Sequence, residues 1–399
     1  MNKERLILKA LEDGNGIVRL APTWVPRSFL YPGGRLKLAP QDLYILGVDR
    51  GGIDERWLSS TTRADNPGAP EDEGLSYIVF QESSKVKKVL LKEAIETFGE
   101  VFIGKEMMKK YGGWPVYAKF FDNSCPIPLH LHQREEHARK VNKLAKPEAY
   151  YVPPQLNMIE GRFPYTFFGL NLGTTKEDIK GCLKKWKMGD NRILNFSRAY
   201  RLAPGTGWLV PPGTLHAPGT LVTYELQRAS DVFAMYQSMF EGRPIPWELV
   251  VKDVPKEYHS DLEYIVDMID WETNLDPKFK EHHYTEPKPI EDTECEGYVE
   301  KWIIYGSKDF SAKELTILPK KSVIVRNSAA YGLIVIQGHG RIGNFEVEAP
   351  TMIRYCEFTN DELFVTIGVA KDGVKVENES SRENLVILEH FGPENPDAP

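Results

Sequence analysis

Short runs of β-branched and aromatic residues, each ended within a few positions by Gly, Pro, Asn or Asp, restrict this chain to mainly β-structure. Gly207-Trp-Leu-Val-Pro-Pro-Gly-Thr, Leu221-Val-Thr-Tyr-Glu-Leu-Gln, Tyr331-Gly-Leu-Ile-Val-Ile-Gln-Gly and Glu362-Leu-Phe-Val-Thr-Ile follow this rule. It is the texture of a β-sandwich or small barrel. Three segments carry helical period instead: Leu90, Leu91, Ala94, Ile95 and Phe98; Ile179, Cys182, Leu183 and Trp186; and Leu262, Ile265, Val266 and Ile269. Thr174 with Glu177, and Ser260 with Glu263, have the spacing of capping boxes. Gly99 suits a left-handed helix stop.

At 399 residues and 41% apolar content the chain can build two cores. The β-rich texture resumes from about Ser311 to Glu389, and the intervening stretch from Pro244 to Glu294 holds a helix and a Pro- and acid-rich segment. The expected division is 1–243, with a helical insertion around 172–190, then a helical or linker region 244–295, then 296–399. Fifty Lys and Arg against 57 Asp and Glu give a formal charge of −7, and no basic run is interleaved with aromatics, so no nucleic-acid partner is expected. The longest apolar stretches, such as Leu333 to Ile336, are far too short to span a bilayer, and no membrane partner is expected. Cys125, Cys182, Cys295 and Cys356 are widely separated without a CxxC pair, which points to free thiols and a cytoplasmic location.

In Pro128-Leu-His-Leu-His, strand alternation places His130 and His132 on one face, where two imidazoles can share a cation. Glu148 opens the strand-like Glu-Ala-Tyr-Tyr-Val, and His216 lies in the Gly/Pro-bounded Pro211-Pro-Gly-Thr-Leu-His-Ala-Pro-Gly. The order HxH, then Glu after about one hairpin, then His in PPGTxH is the ligand order of cupin barrels. Three imidazoles and one carboxylate suit a single divalent ion, zinc first, with manganese, iron or nickel as alternatives, and leave positions open for water or substrate. The remaining histidines have no comparable setting. The C-terminal β-rich part has no HxH, and its His339 stands in a Gly-His-Gly turn, so no metal is expected there.

The residues around these ligands resemble the class I phosphomannose isomerases, collinearly from about Gly52 to Tyr236. Glu55-Arg-Trp-Leu-Ser-Ser resembles the family's E-x-W-x-x-S, and Trp114-Pro-Val-Tyr-Ala-Lys-Phe-Phe-Asp its F-P-x-L-x-K-F-L-D. Leu129-His-Leu-His stands against V-Q-V-H, Lys146-Pro-Glu148 against K-P-E, and Pro212-Gly-Thr-Leu-His-Ala-Pro-Gly against P-A-G-T-x-H-A-x-G. Tyr224-Glu-Leu-Gln-Arg-Ala-Ser-Asp resembles E-x-Q-x-x-S-D. The resemblance implies two cupin barrels (double-stranded β-helix, jelly-roll) with a small helical insertion, and an aldose–ketose isomerase working through a cis-enediol with one metal ion. It departs from the family where His130 replaces a glutamine ligand, where Pro128 replaces a serine near the substrate phosphate, and where Val232-Phe-Ala-Met-Tyr lacks the family's arginine. These changes turn the expected substrate from a sugar phosphate toward an unphosphorylated sugar.

Lys146, two residues before Glu148, either holds substrate oxygens and relays a proton or is a solvated lysine at a strand entry. Lys119 alternates with apolar neighbours and points inward or into the barrel mouth, where Glu225 or Asp122 would pair with it. Arg228 and Arg243 are the nearest substitutes for the missing arginine. Glu135 or Glu136 could fold over the site, and Trp57, Tyr150, Tyr224 and Gln227 are candidates for a sugar's walls. Two other functions share this ligand set, a bicupin iron dioxygenase and a non-catalytic carbohydrate-binding cupin. A monomer or homodimer is expected.

Overall fold

The computed structural model describes residues 3–82, 85–158, 163–290 and 296–399. Cys295, one of the four expected thiols, lies outside them. Among these residues all paired strands but one isolated bridge are antiparallel, and, apart from the two-stranded ribbon of Met239–Phe240 and Arg243–Pro244, the sheets form two pairs.

In the first pair, a seven-stranded sheet runs in the order Tyr284–Thr285, Gly207–Val210, Glu148–Tyr151, Thr223–Arg228, Val116–Phe121, Gly52–Leu58, Thr23–Arg27. It faces a five-stranded sheet containing Tyr165–Leu170, His216–Ala217 and His130–Leu131. Phe121, Tyr150, Trp208 and Val210 from one sheet and Leu131, Phe168, Leu170 and Ala217 from the other meet in one core. The second pair is a nine-stranded sheet, which includes Tyr298–Ile304, Ser311–Ile317, Leu385–Phe391 and Tyr331–Gln337, facing a four-stranded one. Leu315, Leu333, Leu363 and Ile387 pack there against Val325, Ile342, Val347 and Val376.

A third core joins the two pairs back to back. Val116, Ala118 and Phe120 face it from one sheet, while Ile334, Phe364 and Leu388 face it from the other. A strand whose two faces are both covered reads as a mainly apolar run, and every residue of Val116–Phe121 is buried, Lys119 included. Alternate residues of that strand, Tyr117, Lys119 and Phe121, turn into the first barrel.

The sheets cut across the expected boundary at residue 243. Ile17–Leu20, Tyr77–Glu82 and Lys85–Leu90 extend the C-terminal nine-stranded sheet. The expected helical or linker region contains the helices Glu248–Val251, Leu262–Asp267, Trp271–Asn274 and Phe279–His283, and Val250, Val251, Ile265, Val266 and Phe279 bury their side chains in the first barrel's core.

Three local readings shift. The helix Lys176–Lys184 is capped by Thr175 with Asp178, and Leu262–Asp267 by Asp261, each one residue after the expected cap. Gly99 does not end its helix. The chain kinks at Phe98 and continues to Phe102, and the Met108 side chain of the next helix packs against Gly99. His339, itself exposed, opens the strand His339–Ile342 rather than a turn.

Arg56 ties the two halves. Its buried guanidinium donates to both oxygens of Asp361 at 2.7 and 2.8 Å and reaches Glu362 at 3.3 Å. Removing one partner of such a buried pair strands the other's charge, at a cost of about 3–5 kcal/mol. Arg56→Ala is therefore expected to lower the urea midpoint by that equivalent, and a midpoint within error of the parent would refute the coupling.

Candidate metal centre

The three histidines and the glutamate meet inside the first barrel. His130 and His216 are register partners on adjacent strands. His132 follows two residues after His130 and so shares its face. Glu148 begins a strand of the opposite sheet, so the group bridges the sheet pair. Ligand atoms of His130, His132 and His216 all lie within 4.8 Å of one another, and this trio fits a metal site. Glu148 Oε2 lies 2.9 Å from His132 Nε2, and its Oε1 lies 3.0 Å from His216 Nε2.

Hydrogen bonding fixes which ring nitrogens face the centre. Nδ1 of His130, His132 and His216 lies 2.8, 2.6 and 2.8 Å from the carbonyls of Pro128, Val232 and Thr214. A carbonyl only accepts, so each Nδ1 carries the proton and each Nε2 presents a bare lone pair. His216 Nε2 is buried without a hydrogen-bond partner. Two acceptors, imidazole Nε2 and carboxylate oxygen, set 3 Å apart with no proton between them repel unless a cation lies among them. The donor set therefore fits a divalent ion.

The electrostatics agree. Burial, then the neighbouring imidazoles of His216 and His132, pull His130 well below the usual histidine range. Burial, then Lys146, lowers His132 to about 4. Burial opposes charge on Glu148 too, but His132, Lys146 and His216 outweigh it and hold the carboxyl well below its ordinary value. Neutral imidazoles and an ionised carboxylate are the forms that bind metal.

Around this group runs a buried chain of charges. Lys146 Nζ lies 3.2 Å from His132 Nε2, 3.1 Å from Glu148 Oε2 and 3.6 Å from Glu225 Oε1. It is buried, which removes the solvated alternative. Lys119 sits between Glu225 at 3.3 Å and Glu55 at 3.4 Å, and those carboxylates outweigh the burial that would lower its pKa, raising it. Asp122 instead pairs with Arg35. Glu225 is pushed up to about 7 by burial and by the charge of Glu148. Arg27, buried, bridges Glu55 and Asp231, each at 3.3 Å. Tyr150 donates its hydroxyl to Glu148.

Other expected residues lie elsewhere. Arg228 points away from the centre, donating to Asp309 at 2.6 Å and to Glu135 and the Ala145 carbonyl. Glu135 is held by Arg139 and Arg228, Glu136 is exposed beside Arg134, and Arg243 covers the Tyr31 ring, so none of them reaches the ligands. Tyr224 faces the second barrel, its hydroxyl hydrogen-bonded with His390 Nδ1 at 2.9 Å. Trp57 is fully buried, its Nε1 donating to Glu55. Gln227 donates to the Ser230 carbonyl. Reasoning from sequence gave Glu55 and Asp231 no role although both stand in the quoted motifs, and it missed Arg27 and Asn274, the latter accepting from the Leu215 amide and donating to the Gly213 carbonyl, clamping the loop that delivers His216.

No family model matches the chain, and no curated protein matches it in sequence. Solved structures do match in fold. A mannose 6-phosphate isomerase from Bacillus subtilis superposes with a TM-score of 0.61 at 15% identity, covering 94% of this chain and 99% of that one. The chain has the mannose 6-phosphate isomerase fold. A mannose 6-phosphate isomerase from Salmonella typhimurium, bound to fructose 6-phosphate and zinc, superposes on this fold with a TM-score of 0.60 at 12% identity, covering 95% of this chain and 100% of that one. No helix of the described residues is long and apolar enough to cross a membrane.

Proposed function

We propose that this protein is a metal-dependent aldose–ketose isomerase acting on an unphosphorylated sugar, with one divalent ion, zinc first, held by His130, His132, Glu148 and His216. The observation that carries this reading is the convergence of three bare Nε2 atoms and the Glu148 carboxylate beside two buried lysines. When bound, such an ion supplies Lewis-acid polarisation of a sugar's carbonyl and hydroxyl oxygens.

The chain's own residues move the proton. Glu225, with a carboxyl at about 7, is suited to take a proton from carbon and return it one carbon away, which is the exchange a cis-enediol requires. Lys146, 3.6 Å from Glu225, donates to the sugar oxygen that gains charge. Lys119 positions Glu225 from the far side. The fold neighbours support this reading as analogy, since one fold hosts several chemistries.

Charge pairing favours a neutral substrate. Three cations line the cavity, Arg27, Lys119 and Lys146, and four carboxylates answer them, Glu55, Glu148, Glu225 and Asp231. No convergent, unmatched basic group is left for a phosphate. The cavity measures about 40 Å³, room for an ion and water, so sugar entry requires its lining, which includes Phe29 and Phe233 with rings 6.1 Å apart, to give way.

The test is turnover of free aldoses and ketoses in deuterated water with metal restored. Deuterium is expected at C1 or C2 of a free sugar. Activity confined to mannose 6-phosphate would overturn the substrate, and oxygen uptake on an organic acid with no sugar turned over would overturn the isomerase.

A further inference from the structure

The second barrel repeats, strand for strand, the charged group of the first. In the first barrel Trp57 stands opposite Lys119, and Lys119 opposite Glu225. In the second, Trp302 stands opposite Lys313, and Lys313 opposite Glu389. Glu55, two residues before Trp57, pairs with Lys119, and Glu300, two residues before Trp302, pairs with Lys313 at 2.8 Å. The local sequences agree: Glu55-Arg-Trp against Glu300-Lys-Trp, and Ala118-Lys119 against Ala312-Lys313.

The register also shows what was exchanged. Glu148 stands opposite Gln227, two residues past Glu225, and the matching place opposite Phe391, two residues past Glu389, is held by Tyr331. A tyrosine thus occupies the position of the carboxylate ligand, and no histidine is among the described residues that line this end of the barrel.

What remains is costly for a purely structural barrel. Lys313, Asn327 and Glu389 are buried at the end of an otherwise apolar core. Taking such charges out of water is repaid only in part by pairing, and apolar residues of similar size pack there at no such cost. Lys313 Nζ is 2.8 Å from both Glu300 Oε1 and Asn327 Oδ1, with Trp302 4.8 Å beneath it. The group opens into a cavity of about 530 Å³, against about 40 Å³ in the first barrel, bounded also by Arg326 and Ser328. Small-molecule sites are of this size, roughly 300–1,000 Å³. Its charges come close to balance: Lys313, Arg326 and Lys371 against Glu300 and Asp397, with Glu389, only partly ionised at neutral pH, behind them.

We propose that this cavity is a second, non-catalytic site for a neutral monosaccharide or polyol, its hydroxyls bound by Glu300, Lys313 and Asn327. Near-balanced charge disfavours an anion, and mixed donors and acceptors beside an indole suit a polyhydroxylated ring. Sugar as the ligand class rests on the reading of the first barrel, whereas the site itself rests on the repeated register and the cavity.

The experiment is equilibrium dialysis of labelled D-mannose and D-fructose against the full chain carrying His132→Ala, which disables the first site. At least one of the sugars is expected to bind at one equivalent per chain. Adding Ser328→Trp, an exposed position that fills the cavity mouth, is expected to abolish this binding, and Lys313→Gln to weaken it at least tenfold, each variant melting cooperatively. Ser328→Trp alone should leave metal content and isomerisation unchanged. Absence of sugar binding in His132→Ala, or binding indifferent to both cavity variants, would overturn the proposal. Isomerisation by the parent alongside that failure would leave the first barrel's function standing; binding at the second site without any isomerisation would do the reverse.

Discussion

Replacing His132, Glu148 or His216 by alanine is expected to strip the protein of its metal while leaving it folded. Each alanine removes a ligand outright, and the loss should exceed the about 10–100-fold drop that follows when only an outer hydrogen-bond partner of a ligand is removed. The fold survives because the ligands sit in a core of more than thirty other buried apolar residues. A chelator should lower the melting temperature of the parent, since a ligand held 1,000-fold above its Kd adds about 4 kcal/mol. It should not move the variants. His130→Gln restores the amide found at this place in the resembled family, and metal should be retained. Metal analysis with parallel melting curves checks all four, and unchanged stoichiometry in the three alanine variants would dismantle the constellation.

The second large effect is acid lability set by His390. Burial alone lowers this imidazole from its ordinary 6.5 to about 3, and its Nδ1 is hydrogen-bonded with the Tyr224 hydroxyl across the junction of the barrels. The folded pKa is depressed, so between pH 6.5 and 3 the unfolded chain binds a proton that the folded chain refuses, and stability falls with pH across that window. A shift of about 3.5 units corresponds to about 5 kcal/mol at the lower end. Glu362 and Glu389, both raised to about 7 by burial, act in the opposite sense, their contribution declining as pH rises from about 4.5 to 7. Comparing the parent with His390→Gln cancels those terms. Unfolding free energies of the two should converge as pH falls from 7 to 3.5, and curves that stay parallel would refute the assignment.

How far the sequence was legible depended on the range of each signal. The HxH pair reads directly, because two residues along a strand is a local fact, and His130 and His132 indeed share a face. The β-texture was equally local. The pairing of Arg27 with Asp231 was illegible because 204 residues separate them and only the folded sheet brings them together. Arg228 is a different kind of error, since the decisive signal was present. In Thr223–Arg228 the inward residues are Glu225 and Gln227, so strand parity turns Tyr224 and Arg228 to the other face, and motif resemblance overrode that parity. The helix caps failed by one residue because neighbouring Thr174 and Thr175, or Ser260 and Asp261, offer equivalent oxygens. Only the fold's entry angle chooses between them. The division at 243 failed because sheet pairing is long-range, as Ile17–Leu20 pairing with Glu362–Val365 shows.

The account turns on one ion bound by imidazoles and a carboxylate in the first barrel. X-ray absorption at the zinc edge of chelator-stripped, zinc-reloaded protein tests it most directly. The expected result is one ion per chain with an imidazole shell at about 2.0–2.1 Å, no sulfur shell near 2.3 Å, and a zinc-edge signal that is lost when His216 is replaced by alanine. A sulfur-bearing shell, two ions at full occupancy, or a spectrum unchanged by His216→Ala would contradict it.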